Sequence, residues 1–105
     1  MIHEQYTKLK DENPNALLLM KLGDFYEAFD KDADQLAEAC DLTVTTRRNS
    51  PNKEWRMAGF PYHWLEGNIR KLLDAGYTVA IAEQRPSDGG RIERYVERVI
   101  RKKGD

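Results

Sequence analysis

A chain of 105 residues is long enough for one hydrophobic core and too short for two, so we expect one domain over residues 1–105. Its 40% hydrophobic and 33% charged residues are typical of a folded, soluble protein and exclude a disordered chain. There is no apolar run of membrane-spanning length and no signal-peptide pattern, and the one cysteine excludes an internal disulfide; we therefore expect a cytoplasmic protein without a membrane partner.

The distribution of charge is more informative than the net charge of −1, which argues against a protein that coats DNA through many phosphate contacts. Acidic residues concentrate between Asp24 and Asp41. Basic residues form two groups: Arg47, Arg48, Lys53 and Arg56, and then Arg91, Arg94, Arg98, Arg101, Lys102 and Lys103. This asymmetry permits a nucleic-acid-binding face without requiring one.

The first third of the chain predicts a helix and then a β-hairpin. Ile2 to Glu12 is a short polar helix that ends before Pro14. Ala16 to Leu22 is an apolar run suited to a buried strand, and Gly23-Asp24 fits a two-residue turn. Phe25 to Phe29 then returns as the partner strand. Residues two apart on a strand share a face, so the Phe25 ring and the Glu27 carboxylate would stand side by side.

An alternative interpretation starts a helix at Asp24, because Asp24 and Glu27 also fit a capping box. In a helix, Phe25 and Glu27 would point about 200° apart around the axis and could not act as a pair. The hairpin is the favoured of the two interpretations.

Helices and strands continue to interleave in the rest of the chain. A helix capped by Asp30 is predicted from the helical spacing of Ala33, Leu36, Ala37 and Cys40, and it is followed by a half-exposed strand at Leu42–Thr46 and a basic loop at Arg47–Arg56. A second helix is predicted at Leu65–Ala75, where Gly76 ends it. The last predicted elements are a strand at Tyr77–Ala82, a loop at Arg85–Gly90 and an edge strand at Ile92–Ile100. The predicted fold class is therefore α/β or α+β, with a mixed β-sheet flanked by helices.

Several blocks of residues, in order and at matching spacing, resemble the N-terminal mismatch-recognition domain of the MutS family of DNA mismatch repair proteins. The blocks are Gln5-Tyr6, Lys8-Leu9-Lys10, Gly23-Asp24-Phe25-Tyr26-Glu27 with Phe29, Asp32-Ala33, Thr45 with Arg47, Met57-Ala58-Gly59-Phe60-Pro61-Tyr62-His63, Lys71-Leu72 with Gly76, Val79-Ala80-Ile81, Glu83-Gln84, Arg94 and Arg98-Val99. The sequence departs from the family pattern at Lys102-Lys103-Gly104-Asp105, where Thr-Pro-Gly-Thr is usual.

The resemblance implies a non-catalytic module that binds double-stranded DNA with mismatched or unpaired bases, without a cofactor or metal, and that works with other domains or subunits of a larger DNA-processing protein. It implies that Phe25 is a wedge entering the minor groove and that Glu27 hydrogen-bonds the displaced base. Arg47 and Arg48 are candidates for phosphate contact, and Met57 and Pro61 for positions along the groove beside the wedge. The sequence contains no P-loop and hence no ATPase motif.

Two other classes of function stay open. A protein-interaction or accessory module would keep the fold and dock its aromatic surface on a partner chain; the near-neutral charge favours this class. A nuclease would need Asp24, Glu27 and Glu83 as metal-binding carboxylates, but no clear Glu-x-Lys element follows them.

Overall fold

The computed structural model of the chain describes residues 2–50 and 53–104. Within these residues it contains α1 (Ile2–Glu12), β1 (Leu17–Leu22), β2 (Phe25–Phe29), α2 (Asp30–Cys40), β3 (Thr45–Ser50), β4 (Lys53–Pro61), α3 (Leu65–Asp74), β5 (Val79–Pro86) and β6 (Ile92–Ile100). Short 3₁₀ turns at Tyr62–Trp64 and Asp88–Gly90 precede α3 and β6. Across the two described ranges, every helix is too short or too polar to cross a membrane.

The strands form one mixed sheet in the order β3-β4-β2-β1-β5-β6. β1 and β5 run parallel, and each of the other neighbouring pairs is antiparallel. β1 lies in the middle of the sheet, and its residues Leu17 to Met20 are all buried, as expected for a strand covered on both faces. The predicted fold class and the edge position of β6 are both confirmed.

The two faces of the sheet carry separate cores. The helices α2 and α3 cover one face, where the buried side chains are Leu17, Leu19, Tyr26, Ala28, Ala33, Leu36, Ala37, Cys40, Ala58, Phe60, Ile69, Leu72, Val79 and Ile81. The helix α1 covers part of the other, where they are Tyr6, Leu9, Ala16, Leu18, Met20, Phe29, Met57, Ala80 and Ala82. The β2 residues Phe25, Glu27 and Phe29 therefore lie on the α1 face.

The buried Asp32 side chain on α2 connects α1 to the sheet through hydrogen bonds. Its carboxylate accepts hydrogen bonds from the backbone N–H of Leu18 at 3.1 Å and from the Lys10 ammonium at 3.0 Å. The Tyr6 hydroxyl lies 2.6 Å from the same carboxylate. Burial raises the pKa of Tyr6, and the charge of Asp32 raises it further. Buried charges in proteins are normally paired and hydrogen-bonded, and three donors compensate the burial of this carboxylate.

The structure corrects the predicted strand at Leu42–Thr46 and the predicted basic loop at Arg47–Arg56. Most of these residues form two antiparallel strands, β3 and β4; residues 51 and 52 lie outside the described residues. The strand was predicted too early in the chain, overlapping β3 only at Thr45 and Thr46, because β3 is the edge of the sheet and its residues from Thr45 to Arg48 are all exposed. An exposed edge strand needs no apolar face, so its sequence is similar to that of a loop.

Two smaller boundaries also differ from the predictions. β5 begins at Val79 and continues to Pro86, so Glu83 and Gln84 are strand residues. Asp30 does not cap α2 with its side chain; it is the first residue of the helix, at φ 53°, and its carboxylate lies 3.3 Å from the His3 ring. Aspartate tolerates this left-handed conformation better than most residues.

Candidate nucleic-acid interface

The pair Phe25 and Glu27 is presented by a tight β-hairpin. Leu22 pairs directly with Phe25, and Gly23 and Asp24 form the two-residue turn between them. Gly23 has φ 60°, a conformation that glycine adopts without steric penalty. The hairpin prediction is therefore confirmed and the helix starting at Asp24 is wrong, so Phe25 and Glu27 share one face.

Phe25 is an exposed aromatic residue in a strand whose other aromatic residues are buried. Its exposed fraction is 45%, against 5% for Tyr26 and 2% for Phe29. The ring therefore contributes little to either core, although a phenylalanine beside a turn is usually a packing residue. It stands at the tip of the hairpin with its apolar surface open to another molecule.

Gly59 makes room for the Glu27 side chain. β4 lies beside β2 in a register that pairs Glu27 with Gly59, and a Cβ atom at position 59 would overlap the Glu27 carboxyl group. The acid therefore lies flat across a bare stretch of backbone. Burial raises the pKa of Glu27, and the positive charge of Arg47 partly opposes that rise.

The remaining predicted site residues fall into two groups. Pro61 pairs with Phe25 and Met57 pairs with Phe29, which places both on the Phe25 face together with Arg47. Pro61 is half-buried beside the ring, whereas Met57 is buried beneath the surface and belongs to the α1-side core.

Arg48 lies on the opposite face of the sheet, where its guanidinium pairs with Glu54 at 2.7 Å. Arg47 is exposed, and among residues 2–50 and 53–104 no carboxylate lies within salt-bridge distance of it. Of the two candidate phosphate contacts, Arg47 is the one whose strand position faces the Phe25 side.

The carboxylates of the nuclease hypothesis do not converge. Glu27 is on the α1 face, whereas Glu83 is on the other face and accepts a hydrogen bond from the Tyr26 hydroxyl. In the part of the chain that the structure describes, no three His, Cys, Asp or Glu side chains are grouped to hold a metal ion.

Sequence reasoning missed two residues that shape the hairpin surface, Gly59 and Gln84. A glycine inside an apolar strand often marks the close approach of another group, and this signal was present in the Met57–Pro61 block. Gln84 contacts the backbone of Gly23, 61 positions away, and a contact across that separation leaves no mark in a single sequence.

The fold and this surface together define a small mixed-sheet domain with an exposed aromatic ring at the tip of a hairpin and a carboxylate beside it on the same face. The family model described as MutS domain I matches residues 1–103, and the chain belongs to that family. A DNA mismatch repair protein MutS of Petrotoga mobilis is 43% identical over 100 residues, which is 92% of this chain. The chain spans about an eighth of that relative, 12% of its length.

Proposed function

We propose that this domain recognises mispaired or unpaired bases in double-stranded DNA by inserting the Phe25 ring into the base stack. The observation that carries the proposal is the 45% exposed ring at the tip of a hairpin, beside a carboxylate on the same face. Membership of the MutS domain I family supports it. The role involves no bond-making step, and we therefore propose a binding module rather than an enzyme.

Discrimination in this mechanism comes from the ease of deforming the DNA. An apolar wedge that enters the minor groove must unstack a base step, which costs a few kcal/mol in matched DNA and less at a mismatch or an extra base. Stacking of the ring on a base returns about 1–3 kcal/mol. The balance is therefore more favourable at a defect than at a matched step, whatever the surrounding sequence.

Glu27 is the proposed contact to the displaced base. A charged carboxylate near the phosphates is repelled by them, so it needs a specific hydrogen bond to be favourable. Burial already raises the pKa of Glu27, and DNA that excludes water and adds negative charge would raise it further. A protonated Glu27 would donate a hydrogen bond to an acceptor on the base edge and would carry no charge toward the phosphates.

The proposal is tested by fluorescence anisotropy with three labelled duplexes of otherwise equal sequence: matched, single-mismatch and single-base-bulge, at one stated low salt concentration. We expect weak binding, near the nonspecific range of about 10⁻⁴–10⁻⁶ M, with a preference for the bulge and the mismatch. Phe25→Ala should remove most of that preference, on the order of tenfold for the loss of one stacked ring.

Val99→Ala is the matched control, because Val99 is 42% exposed on the edge strand β6 and pairs with Ala80, at the end of the sheet away from the hairpin turn. It should leave all three affinities unchanged. Equal affinity for the three duplexes, unaltered by Phe25→Ala, would refute the wedge.

A second candidate function, a protein-interaction module, is favoured by the exposed aromatic side chains that follow β4. Tyr62 is 54% exposed and Trp64 is 59% exposed, both more than Phe25. In this case Trp64→Ala would weaken binding to partner domains of a MutS-type protein, and the unaltered domain would show equal affinity for the three duplexes. A mismatch or bulge preference that Phe25→Ala removes would instead favour the wedge.

A further inference from the structure

In the hairpin that carries Phe25, β1 extends beyond its ladder with β5, whereas β2 pairs with β4 as far as Phe25 and the Asp24 carbonyl accepts a hydrogen bond from the Tyr62 N–H. The parallel ladder between β1 and β5 pairs Leu17 to Met20 with Val79 to Ala82 and then ends. From Lys21 onward, β1 continues toward the turn with β2 as its backbone partner on one side only. The backbone groups on the open side still need hydrogen-bond partners.

Two side chains supply those partners on the Phe25 face. The Gln84 amide donates from Nε2 to the carbonyl of Gly23 at 3.2 Å, and its Oε1 accepts from the Gly23 N–H at 3.3 Å. Arg94 lies opposite Gln84 on β6 and donates from Nε to the carbonyl of Lys21 at 2.8 Å. With one hydrogen bond donated and one accepted, the Gln84 amide takes the place that the backbone of a neighbouring strand would have at the turn.

A third contact holds the hairpin from the other face of the sheet. The Tyr26 hydroxyl donates to the Glu83 carboxylate, and the Lys21 ammonium lies 4.0 Å from the same group. The Lys21 ammonium also lies 5.1 Å from the centre of the Tyr26 ring. Two successive residues of β5, Glu83 and Gln84, therefore form hydrogen bonds with the hairpin on opposite faces of the sheet.

We propose that Gln84 is a positioning residue for the wedge: its amide fixes the Gly23 turn and so holds the adjacent Phe25 ring at a defined height and angle above the sheet. This inference rests on the proposed function, since a wedge must be aimed to be selective. A ring on a loose hairpin would have to be ordered during binding, and that ordering opposes the stacking energy. Looseness should reduce the preference for a bulge more than it reduces general affinity.

The test replaces the amide by an apolar group of similar shape, Gln84→Met, and uses Gln35→Met as the matched control. Gln35 is a partly buried glutamine on α2, away from the hairpin, and the described residues offer its side chain no hydrogen bond. Three quantities are measured: hydrogen exchange at the Gly23 amide, thermal stability, and the ratio of affinities for bulged and matched duplexes.

We expect Gln84→Met to speed exchange at the Gly23 amide by about three- to tenfold, the value of one hydrogen bond, while the Leu19 amide in the centre of the sheet stays protected. The affinity ratio should fall about threefold or more while matched-duplex affinity is retained. Gln35→Met should change neither the exchange rate at the Gly23 amide nor the affinity ratio.

Unchanged exchange at Gly23 would show that the Gln84 amide does not fix the turn. This measurement needs no DNA, so it is independent of the wedge hypothesis. Faster exchange with an unaltered affinity ratio would overturn the positioning role, provided that Phe25→Ala lowers that ratio. An unaltered ratio in Phe25→Ala would instead refute the wedge. Much faster hydrogen exchange at Leu19 as well as at Gly23 would show that Gln84 supports the stability of the whole sheet and not specifically the position of the ring.

Discussion

A single missing methyl group sets the environment of Glu27. The side chain lies over Gly59, and any Cβ there would overlap its carboxyl group. The surrounding protein removes enough water from the acid to raise its pKa, although Arg47 opposes this. The proposed role of Glu27 therefore depends on its neighbours as well: Gly59 leaves the space in which the carboxyl group lies, and burial and Arg47 set the direction of its pKa shift.

Replacing Gly59 should displace Glu27 without unfolding the domain. We expect Gly59→Ala to lower the preference for mismatched over matched duplexes about as much as Glu27→Ala does, since both remove the carboxyl group from its place. Gly67→Ala is the control, because a Cβ at Gly67 meets no atom within 4 Å on α3. It should leave DNA binding unchanged and stabilise the helix by about 0.5–1 kcal/mol. A normal mismatch preference in Gly59→Ala would contradict the proposed placement of Glu27.

The pH dependence of binding tests the protonation of Glu27. Because burial raises its pKa above the ordinary value of 4.5, its protonated form is populated at higher pH than in an exposed glutamate. If the protonated acid donates to the base, the ratio of mismatch to matched affinity should rise as pH falls toward the raised pKa and decline above it. Glu27→Gln, a permanent neutral donor, should flatten this ratio across the range, measured by anisotropy at constant ionic strength. A ratio that rises with pH in the wild type would exclude the donor role.

Among the elements, α1 depends on one buried side chain for its place on the sheet. Asp32→Ala leaves the Leu18 N–H, the Tyr6 hydroxyl and the Lys10 ammonium without their shared acceptor. The Lys10 ammonium is partly exposed and can turn to water, so we expect the loss of about 1–3 kcal/mol that leaving a buried donor without its acceptor costs. In a domain of this size each kcal/mol lowers the melting temperature by about 4–8 °C.

The measurement is thermal unfolding followed by circular dichroism, with Asp34→Ala as control. Asp34 is on the same helix but forms an exposed pair with Arg56 at 2.9 Å, so its removal should shift the melting temperature far less. Similar losses in the two variants would show that Asp32 is not the anchor of α1.

The elements that sequence patterns located well are those with a buried face. The ends of α1 and β2 were predicted correctly because local signals, Pro14 and the Gly23-Asp24 turn, mark them. The bounds of β3 were predicted wrongly because its exposed residues follow no apolar alternation. Phe25 and Glu27 could be paired from spacing and resemblance alone, whereas the roles of Gly59 and Gln84 depend on strand register between distant parts of the chain.

At the scale of the whole molecule, the structure changes the meaning of the two basic groups. Three of their seven arginines are paired with carboxylates: Arg48 with Glu54, Arg56 with Asp34, and Arg98 with Glu66. Together with the net charge of −1, this pairing reduces the positive charge that the domain can offer to phosphates. If the proposed function holds, we expect the isolated domain to make few phosphate contacts and to bind DNA weakly.

Salt dependence should reveal how few phosphates the domain contacts. Each neutralised phosphate adds about 0.9 to the slope of log affinity against log salt, so we expect a shallow slope of about 1–2 for the isolated domain. Arg47→Ala should lower the slope by about 1 and weaken binding to the matched duplex, because a phosphate contact does not require a defect. Arg48→Ala is the control, since its guanidinium faces the other side of the sheet and is held by Glu54. A larger loss of slope in Arg48→Ala than in Arg47→Ala would mean that DNA crosses the opposite face, and the Phe25 wedge could not then reach the groove.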